Sequence, residues 1–287
     1  DVIIPYDTET EDPEGQSNES NTVFGGDGDD TIDGGSTKGE LHGGVGDDQI
    51  SGKGSWWDTD HSESGLTASV YGDEGNDTLT NGRFIYGGEG DDIITNSRNH
   101  FSYAYGGTGN DTMNVNGETH GDEGDDTLIG RSYLDHDREL HNSNTIYGGD
   151  GDDSIQGEQG YFDGGAGNDL IDMNTRNGVG SAEGGEGIDT LIVRGDGGLY
   201  LGGLKGFEVW NLSAVSTAHG GDGYSIDLAS SISPDTNVTV GGGGSGDYIS
   251  SRGGNDFLKG EDWDDLLNGN EGNDTLFGGP DHDTLNG

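Results

Sequence analysis

The chain has 287 residues, of which 26% are hydrophobic and 61 are glycine, and 57 acidic against 11 basic residues give a formal net charge of −46. So little apolar content at so high a charge does not offset the entropy of ordering the backbone, and with no cysteines disulfides are excluded; folding needs stabilisation from outside an ordinary core, and a hard cation with oxygen ligands suits so many carboxylates. Nucleic acid is excluded as a partner by charge repulsion, as is a bare anionic membrane, and no run of 18 apolar residues offers a transmembrane segment.

Residues 1–21 are acidic and poor in apolar groups apart from Val2, Ile3 and Ile4. They read as a linker with a short strand, one that can complete the open end of a neighbouring copy. With no initiator Met and no basic-then-apolar leader, position 1 reads as an internal point of a longer chain or a processing site.

From Gly25 a nine-residue unit takes over: Gly-Gly-x-Gly-x-Asp-x-apolar-x. It occurs as GGDGDDTID from Gly25, GGVGDDQIS from Gly43, GDEGNDTLT from Gly72, GGEGDDIIT from Gly87, GGTGNDTMN from Gly106, GDEGDDTLI from Gly121, GGDGDDSIQ from Gly148, GGAGNDLID from Gly164 and GGEGIDTLI from Gly184. A second array places Asp247, Asp256, Asp265, Asp274 and Asp283 nine residues apart. The eighth residue of each unit is apolar and points inward: Ile32, Ile50, Leu79, Ile94, Met113, Leu128, Ile155, Ile171 and Leu191. One such side chain per unit makes a thin core, so each turn of chain buries its strand only by stacking on another. Asp29, Thr31, Asp33, Gly34 and Glu40 also fit the ligand places of an EF-hand loop. Flanking amphipathic helices are required there, and Gly and Asp crowd both sides, so that reading is rejected.

The unit and its phased aspartates resemble the RTX (repeats-in-toxin) haemolysin-type calcium-binding repeats, from Phe24 to Gly287 with a break at about 195–241. The resemblance implies an all-β fold, a right-handed parallel β-roll or β-helix solenoid stapled by calcium ions between the loops of successive turns. The expected carboxylate ligands are Asp30, Asp48, Asp77, Asp92, Asp111, Asp126, Asp153, Asp169, Asp189, Asp247, Asp256, Asp265, Asp274 and Asp283. Backbone oxygens are expected from the loops at Gly26, Gly28, Gly44, Gly46, Gly88, Gly90, Gly107, Gly109, Gly149, Gly151, Gly165 and Gly167, which suits the six to eight oxygens calcium takes.

The family's usual turn is two units, with a ladder on each side. Here the unit starts of the first array are separated by 18, 29, 15, 19, 15, 27, 16 and 20 residues, which predicts one binding loop per turn over 25–189 and a variable segment opposite. Asn81-Gly82 and Asn116-Gly117 are tight-turn pairs in the short turns. The long intervals predict side loops at 52–69 and 130–144. The first holds Trp56-Trp57, which reads equally as a contact pair or as cover for the flank. The second holds Asp135-His136-Asp137 and His141, read as solvated loop residues rather than transition-metal ligands. Phe24, Tyr71, Tyr86, Tyr105 and Tyr147 precede the glycine pair and face outward, as a stacking ladder or as a stripe for extracellular polysaccharide or another surface partner.

Residues 195–241 lack the motif. LYLGGLKGFEVWNL, YSIDLA and NVTV alternate as strands do, predicting one or two calcium-free turns that continue the stack, and Trp210 and Trp263 read as packing residues. The domain reading is therefore 1–21 linker, 22–194 repeat array with one ladder, 195–241 motif-free β segment and 242–287 β-roll with ladders on both sides. HExxH, G-x-S-x-G, a phosphate-binding loop and a cysteine nucleophile are all missing, so the chain reads as non-enzymatic. The resemblance implies type I secretion from a Gram-negative bacterium to the cell surface or medium, and folding on meeting calcium. The expected role is a structural or adhesive module, with head-to-tail self-association as a possible partner mode. The alternative is the non-catalytic C-terminal region of a secreted hydrolase, protease or polysaccharide epimerase.

Overall fold

A computed structural model describes residues 2–3, 22–34, 39–52, 68–96, 101–130, 133–134, 140–141, 144–158, 160–174, 181–194, 204–214, 225–227, 237–244 and 246–287. The chain divides into two compact units, 1–149 and 150–287. Each is a parallel β-solenoid in which short strands recur once or twice per turn.

In the first unit the strands that follow each glycine loop, Thr31–Asp33, Gln49–Ser51, Thr78–Thr80, Ile93–Thr95, Thr112–Val115 and Thr127–Gly130, stack in parallel. Their register puts Ile32, Ile50, Leu79, Ile94, Met113 and Leu128 in one column, and each is at most 2% exposed. The strands that lead into the loops form the facing sheet, and they supply a second inward column of Leu41, Val70, Ile85, Ala104 and Thr119. Two inward columns thus make up most of the core, joined on some turns by Ala68 and Val115, each 1% exposed. Strand Val2–Ile3 pairs in parallel with Thr31–Asp33 of its own chain. The segment expected to complete a neighbouring copy is therefore used within the molecule.

The short turns close where the Asn-Gly pairs stand. Asn81 takes a left-handed φ of 58°, which Asn tolerates better than other side chains. Gly117 has φ 134°, and a Cβ there would come 2.1 Å from the carbonyl oxygen of Ser102 on the preceding turn. No side chain fits at that approach. In the second long interval Tyr133–Leu134 and Leu140–His141 pair as an antiparallel hairpin. Trp56, Trp57, Asp135, His136 and Asp137 lie outside the described residues.

In the second unit one sheet carries the column Ile155, Ile171, Leu191, Trp210, Val240, Leu258 and Leu276. Gly160–Ala166, Ser181–Glu186 and Leu204–Lys205 form a second sheet. A third, four-stranded sheet carries Ile226, Ile249, Leu267 and Leu285. The strands of the motif-free segment therefore pair in parallel with motif-bearing neighbours. Trp210 is 1% exposed, its Nε1 donating to the Phe207 carbonyl at 3.0 Å. Trp263 corrects the sequence reading: it occupies the fourth, glycine place of its loop at φ 84° and is 63% exposed, because that loop position points out of the stack. No helix among the described residues is long and apolar enough to cross a membrane.

With so thin a core, each inward residue carries a large share of the stability. Ile94→Ala should cost about 2–5 kcal/mol, since Ile94 is fully buried between Leu79 and Met113. Ile93→Ala, at a position 48% exposed, should stay within about 0.5 kcal/mol. Chemical denaturation in saturating calcium measures both, and equal losses would contradict the two-sided pattern.

Candidate metal centre

The sixth residue of each unit falls where the loop rejoins the strand, which turns its side chain back into the loop. Asp30, Asp48, Asp77, Asp92, Asp111, Asp126, Asp153, Asp169, Asp189, Asp247, Asp256 and Asp265 are 0–4% exposed, and Asp274 and Asp283 are half-buried. Stacking places these carboxylates in rows. In the first unit the backbone N–H groups of Asp30, Asp48, Asp77, Asp92 and Asp111 donate to Oδ1 of the next rung, Asp48, Asp77, Asp92, Asp111 and Asp126, at 2.7–2.8 Å. In the second unit Asp153 donates to Asp169 and Asp169 to Asp189, both at 2.9 Å. The nine-residue array makes two separate rows. In one, Val238 donates to Asp256 and Asp256 to Asp274; in the other, Asp247 donates to Asp265 and Asp265 to Asp283.

One oxygen of each accepting carboxylate is thereby used. The other, Oδ2, is buried without a hydrogen-bond partner on Asp48, Asp77, Asp92, Asp111, Asp169, Asp189, Asp256, Asp265 and Asp274. A buried carboxylate oxygen left unpaired is costly. What faces it is backbone oxygen. A Cβ built on Gly43 would come 2.1 Å from Asp48 Oδ2 and 2.7 Å from the carbonyl oxygen of Gly72 on the next turn. At Gly87 the same probe meets Asp92 Oδ2 at 2.1 Å and the Gly106 oxygen at 2.3 Å. The space between carboxylate and carbonyl is one that glycine alone keeps open. The carbonyls of Gly26, Gly28, Gly46, Gly88, Gly90, Gly109, Gly151, Gly165 and Gly167 lie against the loop glycines of the following turn. For Gly44, Gly107 and Gly149, the loop glycine itself lies against the preceding turn's carbonyl. No three His, Cys, Asp or Glu side chains converge among the described residues. A cation here therefore draws on one or two carboxylates, with the remaining ligands from backbone carbonyls and water, a donor set that fits calcium.

Burial raises these acids. Desolvation, reinforced by neighbouring carboxylates and opposed by the rung hydrogen bond, pushes Asp92 and Asp126 up to about 7. The same causes push Asp77, Asp169 and Asp265 to about 6. Asp111 is also raised to about 6, by desolvation and by the charges of Asp91 and Asp122.

Three features escaped the sequence reading. The fifth-position residues make an outer ladder: Asp47, Asn76, Asp91, Asn110 and Asp125 each donate a backbone N–H to the side-chain oxygen of Asp29, Asp47, Asn76, Asp91 and Asn110 on the turn before, at 2.7–3.1 Å. The outward aromatic column is closed by two histidines. Phe24, His42, Tyr71, Tyr86, Tyr105, His120 and Tyr147 stack with centroids 4.4–5.1 Å apart and planes within 20°. His42 Nδ1 lies 3.3 Å from Asp73 Oδ2, and His120 Nε2 lies 3.0 Å from Glu118 Oε1. Third, Glu208, in the motif-free segment, accepts the N–H of Asp189 through Oε2 at 2.9 Å. The rule of aromatic-before-glycine could have found the histidines had imidazole been admitted to it. No motif marks Glu208.

Stacked parallel turns with a buried carboxylate and glycine carbonyls at each loop define a calcium-binding repeat solenoid. The family model for the RTX calcium-binding nonapeptide repeat matches residues 17–38, 40–54, 69–83, 84–98, 120–136, 142–171 and 260–287. The chain belongs to the RTX calcium-binding repeat family, whose repeats bind several calcium ions. No curated protein and no solved structure matches it.

The raised acids fix a pH dependence. A carboxyl whose folded pKa exceeds its unfolded value of about 3.9 opposes folding increasingly as pH rises above that value, fully so above about 7 for Asp92 and Asp126. In EDTA, lowering the pH from 8 toward 5 should therefore increase β-sheet circular dichroism. In calcium, the midpoint concentration should rise as the pH falls through 7 to 6, because protons and calcium compete for the same oxygens. Less β signal at pH 5 than at pH 8 in EDTA would contradict the raised values.

Proposed function

We propose that Asp30, Asp48, Asp77, Asp92, Asp111, Asp126, Asp153, Asp169, Asp189, Asp247, Asp256, Asp265, Asp274 and Asp283 are the carboxylate ligands of the calcium ladders. On this reading binding and folding are one event, and the chain is a non-enzymatic extracellular structural module. The observation that carries it is the row of buried, unpartnered Oδ2 atoms facing backbone carbonyls. With 57 acidic and 11 basic residues, the chain has too few cationic side chains to neutralise them, so a cation from solution has to. At low cytosolic calcium the charge of −46 keeps the chain open, as passage through a type I secretion channel of a Gram-negative cell requires. At extracellular calcium of about 1 mM, the range of extracellular modules, the ladders fill. The family match covers calcium-binding repeats and no catalytic domain, which supports the non-enzymatic reading, and equally supports a repeat region attached to a secreted enzyme.

For an adhesive role the aromatic column matters in a particular way. Its rings cover one another's faces, so a polysaccharide meets ring edges and the acidic groups beside them rather than open stacking platforms. Self-association draws no support from Val2–Ile3, which pairs within the chain.

The test is circular dichroism during calcium titration of the EDTA-treated chain. The expected result is a cooperative gain of β signal in the submillimolar to millimolar range, reversed by chelator; a fully folded chain in EDTA at pH 8 would refute the reading. Asp111 accepts the Asp92 N–H and donates its own to Asp126. Asp283 is half-buried and accepts the Asp265 N–H at 3.0 Å. Losing a charge-assisted partner worth about 1.5–3 kcal/mol should shift the calcium midpoint of Asp111→Ala by roughly tenfold or more. The shift for Asp283→Ala should be much smaller, and equal shifts would argue against coupling along the row.

A further inference from the structure

Residues 204–210 contain no Gly-Gly-x-Gly-x-Asp unit, yet they join the aspartate row of the second unit. Parallel pairing aligns Glu183 with Lys205 and Thr190 with Val209. Between these aligned pairs the motif turn has six residues, 184–189, and the next turn has three, 206–208. The outer arm of the loop is missing, but its two ends are in place. The carbonyl oxygen of Gly206 sits 2.2 Å from a Cβ built on Gly184, beside Asp189 Oδ2 at 2.6 Å. One turn earlier the same probe on Gly164 finds the Gly184 oxygen at 2.4 Å and Asp169 Oδ2 at 2.3 Å. Likewise Glu208 Oε2 accepts the Asp189 N–H at 2.9 Å, as Asp189 Oδ1 accepts that of Asp169 at 2.9 Å. Glutamate, one methylene longer than aspartate, reaches the rung from a backbone without the loop. Phe207 fills the space between, fully buried, its carbonyl taken by the Trp210 indole. Asp189 is 0% exposed and its Oδ2 has no hydrogen-bond partner, so the carboxylate on the loop side of this step still lacks a counter-charge.

We propose that Gly206 and Glu208 form the far half of a terminal calcium site. Its near half is the Asp189 carboxylate with the carbonyls of the 184–188 loop. The proposal rests on the reading of the aspartate rows as calcium ladders. Lacking the outer arm, this site offers fewer protein oxygens than a site between two full loops, and water completes the shell. It is therefore the weakest and fastest-exchanging site of its row. Glu208 closes the ladder with a ligand, so the row ends on a filled site and not on a bare carboxylate.

Equilibrium dialysis of the full chain against calcium, comparing wild type with Glu208→Gln, tests this. Glutamine keeps an oxygen to accept the Asp189 N–H and removes the charge. The expected result is loss of one equivalent from the weakest class of ions, with the β-sheet signal in saturating calcium unchanged. The same number of ions at the same affinities would overturn the proposal and leave Glu208 as a hydrogen-bond cap. A wild-type chain that binds no calcium would overturn the ladder reading itself. Should Glu208→Gln fail to fold, wild-type crystals soaked in terbium decide: an anomalous peak about 2.3–2.6 Å from both Asp189 Oδ2 and a Glu208 oxygen supports the site, and its absence beside occupied neighbours overturns it.

Discussion

The hydrogen bond from one rung's N–H to the next rung's Oδ1 recurs along every row, and it sets the problem that the rest of the fold answers. It holds buried carboxylates about one strand spacing apart, ~4.8 Å, where like charges repel and desolvation is heavy. It also leaves Oδ2 aimed at a small oxygen-lined space. The glycines at the first loop position keep that space open, as at Gly43 and Gly87. The left-handed glycines fold the loop over it, and Asp73 and Asp122 take the same conformation at φ 77° and 75° where the motif reads Gly-Asp. Buried like charges facing an oxygen-lined space call for a divalent cation to compensate them.

Because the rungs fix the geometry on one side, the other side is free to vary. Asp48 donates to Asp77 across 29 residues at 2.7 Å, and Asp77 donates to Asp92 across 15 at 2.8 Å. The rung does not register the difference in chain length between them. Loop-closure entropy grows only slowly with length, so a long insertion opposite the ladder costs little once both of its ends are pinned by the rung hydrogen bonds and strand pairing. The turn at 204–210 takes the variation further: it drops the loop itself while the core column runs on through Trp210 and Val240. Phe207 and Trp210, at 0% and 1% exposed, add apolar bulk to the core at this turn.

What could be read from the sequence follows from the range of the interactions. The eighth-position columns, Ile32 to Leu128 in the first unit and Ile155 to Leu191 in the second, were legible because alternation along one strand decides which residue points inward. The buried aspartates were legible because the nine-residue period phases them. The second inward column was not, since Ala104 and Thr119 share it with Leu41, Val70 and Ile85, and a mixed column carries no apolar signature. The outer Asp/Asn ladder looked like loop polarity, because each of its bonds joins residues 15–29 apart. Glu208 was hidden for a simpler reason. A three-residue deletion removes the spacing by which a rung is recognised, and only strand register restores it.

The aromatic column shows that cations are not the sole tie between turns. Its residues precede the first loop glycine, so the rings pin the strand that enters the loop, next to the proposed ion sites. Ring separations of 4.4–5.1 Å match the strand spacing of about 4.7–4.9 Å, so parallel stacking requires no distortion of the sheet. Two stacked places go to histidine where tyrosine would have served for packing alone. Both imidazoles have carboxylates beside them, Glu40 and Asp73 at His42 and Glu118 at His120, placing two of the chain's few basic groups against its acid excess. In the second unit the residues before the first loop glycine are Asp163 and Glu183, and Lys205, aligned with Glu183, forms an ion pair with it. That ion pair falls on the turn where the glycine loop gives way to Glu208. The strand pairing beneath continues in parallel through that turn, with a register shift between Ile192 and Arg194.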